Sequence, residues 1–245
     1  EKDVEVKTAD GVSDSFLAYP SGRGTWPAVL IWPDIGGLRP VFRDMGKRLA
    51  AQGYVVLVAN PFYRSVKAKD MAATFDFSDP ATRTKLMGYR GAMNDAGIAN
   101  DAKAYLAFLD AQPQTAKGKK AGVQGYCMGG ALSVQTAGAV PNRIGAVGSF
   151  HGGNGLVTQT PASPHLIIAK TQAAYHFATA QNDDQQQPTV KDVLKKTLDD
   201  AKRPGTVAVY AANHGWCVPG SAVYNQVEAE KAWAVLTDLY KKNLV

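Results

Sequence analysis

Cys127 sits among glycines in the segment "GYCMGG" (125–130), after the apolar run "AGVQ" and before the helix-like run "ALSVQTAGAV". A side chain at the tip of a tight strand-to-helix corner points outward and is poorly buried, so a thiol placed there is available for chemistry. Such a corner holds its nucleophile in strained backbone and requires small residues two before and two after it. Here those residues are Gly125 and Gly129. The start of the following helix offers free backbone N–H groups and a partial positive charge, and the N–H of Met128 is the first that could meet a developing oxyanion.

A nucleophile of this kind needs a base, and the base needs a carboxylate to orient it. Both are expected later in the chain, each at the end of a strand. The strand-like run "AAYHFATA" leads into "QNDDQQQP", which offers Asp183 and Asp184. Asp183 follows the strand more directly, and Asp184 stays open as the alternative. The run "GTVAVYA" leads into "ANHGW", which offers His214. Of the other histidines, His151 in "SFHGG" also ends a strand and could line a pocket, whereas His165 and His176 read as structural. None has metal-site spacing: there is no H-E-x-x-H and no CxxC. The early loop "IWPDIGG" (31–37) can supply a second oxyanion donor, the Ile35 N–H, with Asp34 facing the same cavity. Its two glycines are not a phosphate loop, since the G-x-G-x-x-G spacing and a Lys-Ser/Thr partner are missing.

The elements that must carry these residues alternate along the chain. Strand-like runs fall at 14–20, 26–33, 54–61, 120–126, 144–150, 173–180 and 205–211, and helix-like runs at 40–53, 95–112, 128–140, 189–201 and 223–242. The first strand alternates and reads as antiparallel. The β-branched run "YVVLVANP" suits a strand buried on both faces. Strands alternating with helices predict an α/β fold with a mostly parallel central sheet and helices on both faces, and ligands then bind beyond the carboxyl ends of the strands. Residues 62–94 read as an irregular excursion over the sheet. Nothing divides residues 1–245, which are expected to form a single domain.

Composition narrows the function classes. The chain has 245 residues and a formal charge of +6, from 27 Lys and Arg against 21 Asp and Glu. The excess is scattered ("KAKD", "KGKK", "DVLKK", "YKKNLV") with no basic block interleaved with aromatics, so a nucleic-acid partner is not expected. A mild preference for anionic small molecules fits the balance. No apolar run approaches the roughly 20 residues of a membrane span, and no signal-peptide core is present. The first residue, Glu1, is compatible with a removed leader or a trimmed start, which leaves periplasmic or secreted and cytoplasmic settings open. The two cysteines, Cys127 and Cys217, are too few for a disulfide scaffold. If Cys127 is to act as a free thiolate, they do not pair.

The segments "PDIGG", "NPFYR", "GYCMGGALS", "AQNDD" and "HGW", in that order and over nearly the whole chain, resemble the dienelactone hydrolase family of α/β-hydrolases. The resemblance implies Cys127 as nucleophile, His214 as base, Asp183 as its orienting acid, oxyanion N–H groups from Met128 and Ile35, and Arg64 as a grip for an anionic substrate. With Asp34, His151 and Trp216 it completes an expected substrate-contacting set. It implies hydrolysis of small esters or lactones with no metal and no organic cofactor, in a monomer or weak homodimer. Two departures stand out. Asp34 takes the place of a Glu in the family's type member, and Val218 takes the place of a second substrate-gripping Arg, so dienelactone itself is put in doubt as substrate.

Overall fold

A computed structural model describes residues 1–245. Eight strands form one sheet: β1 (Lys2–Thr8), β2 (Gly11–Ala18), β3 (Ala28–Trp32), β4 (Val55–Val58), β5 (Ala121–Tyr126), β6 (Ile144–Phe150), β7 (Ala174–Ala180) and β8 (Gly205–Tyr210). Their order across the sheet is β1-β2-β4-β3-β5-β6-β7-β8. The β1–β2 and β2–β4 pairs are antiparallel, and every pair from β4 to β8 is parallel. Each parallel strand returns to the sheet through a crossover, so the ends that carry function gather on one edge.

The central strands are apolar on both faces because both faces are covered. In β3, Ala28, Leu30 and Trp32 join the core on one side while Val29 and Ile31 join the core on the other. In β4, Val55 and Leu57 alternate in the same way with Val56 and Val58. This is the period-2 geometry of a strand read from two sides. Helices α1 (Pro40–Ala50) and α7 (Gln226–Asn243) pack on one face. Helices α3 (Asp95–Ala111), α4 (Met128–Ala139) and α6 (Val190–Ala201) pack on the other.

Three elements were not anticipated from sequence. Edge strand β1 is polar at five of its seven positions and solvated at most of them, so its short charged pattern resembles a loop. Residues 62–94 are not wholly irregular: α2 (Pro80–Gly91) starts on Asp79, whose side chain accepts the Thr82 N–H, but it buries only Leu86 and so has almost no apolar stripe to read. Helix α5 (Gln181–Gln186) begins directly after β7, which places Asp183 and Asp184 on a helical turn rather than in an open loop. No helix is long and apolar enough to cross a membrane.

Candidate active site

Cys127 stands between the end of β5 and the start of α4 with φ 53° and ψ −121°, left-handed backbone that a residue with a Cβ adopts only under constraint. The constraint is close packing. A Cβ on Gly125 would lie 1.8 Å from the Gly129 carbonyl oxygen, and a Cβ on Gly129 would lie 2.4 Å from that of Trp32. Both contacts are with backbone, which cannot turn aside, so the corner closes only with glycine at both positions. The Cys127 N–H donates to the Phe150 carbonyl at 3.0 Å and approaches His151 Nδ1 at 3.1 Å.

His214 follows β8 and Asp183 follows β7, neighbouring parallel strands whose ends lie side by side. His214 Nδ1 is 2.8 Å from Asp183 Oδ2, and the His214 N–H donates to Asn182 Oδ1 at 2.8 Å. Asp184 faces away, with Oδ2 ion-paired to Lys191 at 2.8 Å. The alternative left open by the "NDD" sequence is thereby separated in space: Asp183 meets the imidazole and Asp184 meets a lysine. Burial by itself lowers the His214 pKa. The hydrogen bond to Asp183 and the nearby Cys127 side chain, with the negative charge each can carry, outweigh that and raise it to about 10. Cys127, His214 and Asp183 thus form one group.

Two backbone N–H groups next to this group are unspent. Neither Ile35 nor Met128 donates to a protein acceptor, whereas the surrounding Gly36, Gly37 and Cys127 amides all do. The loop that carries Ile35 is braced by its own side chains. Asp34 Oδ1 accepts the Gly36 N–H at 2.8 Å, and its carboxylate receives both terminal nitrogens of Arg39, with Nη2 at 2.9 Å. Arg39 is itself buried, stacked 5.0 Å from the Phe42 ring centroid and 5.2 Å from that of Phe75. Asp34 is thus neutralised by Arg39 and tied to its own loop, so its expected place in the substrate-contacting set is corrected to bracing the loop. Arg39→Met should loosen the Ile35 turn while keeping the stacking volume. We expect kcat for ester hydrolysis to fall about tenfold to a hundredfold through a misplaced oxyanion donor, with KM little changed, as steady-state kinetics would show.

Three other expected contacts are also corrected. The Arg64 guanidinium binds Asp101 through Nη1 at 2.7 Å and Asp10 through Nη2 at 2.6 Å, and it stacks on the Tyr63 ring at 4.5 Å. Its donors join the β1–β2 turn to α3 and are not free to hold an anion. Asp101 is only 1% exposed, so Arg64→Ala leaves a buried carboxylate uncompensated. Chemical denaturation should show a loss of about 3–5 kcal/mol, with no selective loss of turnover on anionic esters. Trp216 is fully buried, stacked on Tyr210 at 5.2 Å, and cannot touch a ligand. His151 is 1% exposed and lies beneath the group rather than in a pocket wall, its ring 4.8 Å from His214 and 5.2 Å from Trp216. Burial, then the charge of His214, push its pKa well below the ordinary histidine range, so it is neutral. Val218, at the position of the family's second arginine, is buried as well.

Cys217 is a free thiol like Cys127, but it is buried, and burial raises its pKa well above that of an ordinary cysteine. No three His, Cys, Asp or Glu side chains gather into a metal-holding group. Arg39, Phe75 and Asn182 were missed from sequence. Arg39 lies five residues after its partner, a spacing tied to no regular element, and Phe75 comes from a distant excursion, so neither had a local signal. Asn182, between Gln181 and Asp183, was visible but looked like an ordinary turn residue.

Comparisons with known proteins identify the family. The model of the dienelactone hydrolase family matches residues 13–244. A carboxymethylenebutenolidase of Rhodococcus opacus is 25% identical over 195 residues, which is 80% of this chain and 71% of that protein. Among solved structures, a dienelactone hydrolase-like promiscuous phosphotriesterase from metagenomic libraries superposes with a TM-score of 0.78 at 21% identity, over 100% of this chain and 99% of that one. A dienelactone hydrolase of Anabaena variabilis does so at 0.70 and 16% identity, over 100% and 98%. At such identities the structural matches establish the α/β-hydrolase fold. The family model, spanning nearly the whole chain, establishes more: this chain belongs to the dienelactone hydrolase family and is a hydrolase of lactone or ester substrates.

Proposed function

We propose that the protein hydrolyses small esters or lactones through a Cys127-His214-Asp183 triad and a thioester intermediate. The observation that carries the reading is the group itself: His214 hydrogen-bonds Asp183 at 2.8 Å and has Cys127 near enough for that side chain to raise its pKa, beside two unspent amides. Sulfur attacks the carbonyl carbon, and the C–S bond forms as the carbonyl π electrons move onto oxygen. The Ile35 and Met128 N–H groups receive that oxyanion, each worth about 3 kcal/mol in a preorganised site. As the tetrahedral species collapses, the C–O bond to the leaving group breaks and imidazolium His214 protonates the departing oxygen. His214 then takes a proton from water, whose oxygen adds to the thioester carbon. The C–S bond breaks and the sulfur is restored. Asp183 fixes the imidazole so that Nε2 is the nitrogen facing this traffic.

The engagement of Arg64 and the presence of Val218 favour neutral substrates over strongly anionic ones. The test is p-nitrophenyl acetate, followed for burst and turnover, with mass spectrometry of the Cys127 peptide. A burst followed by steady release, with acetyl on Cys127, is expected. A stoichiometric burst with no turnover would instead make the protein a covalent binder of small electrophiles.

A further inference from the structure

Strand β6 lies between β5, which leads to Cys127, and β7, which leads to Asp183. The corner at its end, residues 150–153, meets all three members of the catalytic group. The Cys127 N–H is shared between two acceptors there, the Phe150 carbonyl at 3.0 Å and His151 Nδ1 at 3.1 Å. The His151 ring stands edge-to-face against His214 at 4.8 Å. Gly153 backs the Asp183 carboxylate, since a Cβ on it would lie 3.5 Å from Oδ2. Several features of His151 each cost stability. Its φ of 39° is left-handed backbone for a residue with a Cβ. Because Nδ1 accepts, the ring proton sits on Nε2, and that nitrogen is buried with no partner. Burial, then the charge of His214, hold its pKa well below the ordinary histidine range. A leucine here would avoid the last two costs, and strain of this kind persists where a site requires it.

We infer that His151 is a positioning residue for the reaction: its Nδ1 fixes the direction of the Cys127 amide while its ring supports the His214 imidazole, so nucleophile and base keep one relative geometry. The inference rests on the hydrolase reading above. With the Phe150 carbonyl alone, the amide is free to swing about a single hydrogen bond. A second acceptor from the other side removes that freedom. It also keeps the Cys127 N–H engaged, which leaves the Met128 N–H as the donor free for an oxyanion. The ring serves His214 by carrying no charge. A cation 4.8 Å away would oppose the imidazolium that the leaving group needs. The backbone of His151 is held in turn by its own N–H, which donates to the Ala178 carbonyl of β7 at 2.8 Å. Nucleophile and base come from strands three places apart in the sheet, and His151 is a side chain in contact with both.

The test compares His151→Leu with His151→Asn. Both branch at Cγ, so leucine puts a methyl and asparagine an oxygen acceptor where Nδ1 stands, and neither keeps the ring. On p-nitrophenyl acetate, His151→Leu should lower kcat by about tenfold to a hundredfold, the scale of a displaced reacting group, with KM little changed. His151→Asn should turn over about tenfold faster than His151→Leu, the share of one hydrogen bond. Equal rates in the two variants, or native kcat in His151→Leu, would overturn the inference. Nitrogen-15 NMR of the native protein at neutral pH needs no variant and decides the matter if His151→Leu fails to fold. The His151 proton should be on Nε2, with Nδ1 bare. Native protein that hydrolyses the ester but carries this proton on Nδ1 would sink the positioning role alone, whereas native protein without hydrolysis would sink the triad reading and this role with it.

Discussion

Cys127→Ala protein should fold like the native chain and hydrolyse esters at a rate lower by about three orders of magnitude or more, the scale seen when a triad nucleophile is deleted. Folding should survive because the corner is imposed by its surroundings. The glycine contacts at 125 and 129 and the Cys127 N–H bond to the Phe150 carbonyl do not involve the sulfur. Alanine keeps a Cβ in the same left-handed backbone, so the strain at φ 53° is unchanged. What is lost is the only atom placed to attack. Cys217 cannot substitute, being buried with a thiol pKa raised well above the ordinary range. Circular dichroism and thermal melting would check the fold, and p-nitrophenyl acetate turnover would check the activity. Full turnover by well-folded Cys127→Ala protein would remove the sulfur from the mechanism.

Asp183→Asn is expected to lower kcat by up to about 10⁴-fold, because an amide in place of the carboxylate no longer holds the imidazole in its working tautomer or stabilises imidazolium. Asp184→Asn should change kcat little, since Asp184 is paired with Lys191. The pH dependence adds a separate reading. The native His214 pKa is about 10 against 6.5 for a free histidine, so imidazolium persists until the pH rises through about 10. Of the contributions that raise it, the hydrogen bond to Asp183 is the largest. Removing it should move the alkaline limb of kcat/KM to lower pH, measured with spontaneous hydrolysis subtracted. A limb that stays in place, or a larger loss in Asp184→Asn, would mean that the wrong carboxylate orients the histidine.

The parallel sheet was legible because burial on both faces leaves a mark in the chain itself: the runs at 26–33 and 54–61 are apolar at every inner position. The elbow was legible for a similar reason. A corner in which any Cβ at 125 or 129 strikes backbone leaves glycine as the only solution, and such necessity shows in sequence. The triad residues were legible because each ends a strand, and parallel strands share an edge. The choice between Asp183 and Asp184 was not, since adjacent residues on one helical turn differ only in direction, and that direction is set by Lys191 on one side and His214 on the other.

The side chains around the triad followed a different rule. Asp34 and Arg64 stand in segments shared with the family, and sequence alone made both substrate contacts. Whether a charged side chain is free for a ligand depends on which opposite charge reaches it first. Arg39 comes to Asp34 from the start of α1, and Asp101 comes to Arg64 from α3 across 37 residues of chain. Local spacing and backbone necessity are therefore determined by the sequence of this protein, whereas the pairing of its buried charges is decided only by tertiary packing, because five residues from Asp34 to Arg39 match no helix or strand repeat and 37 from Arg64 to Asp101 carry no periodicity at all.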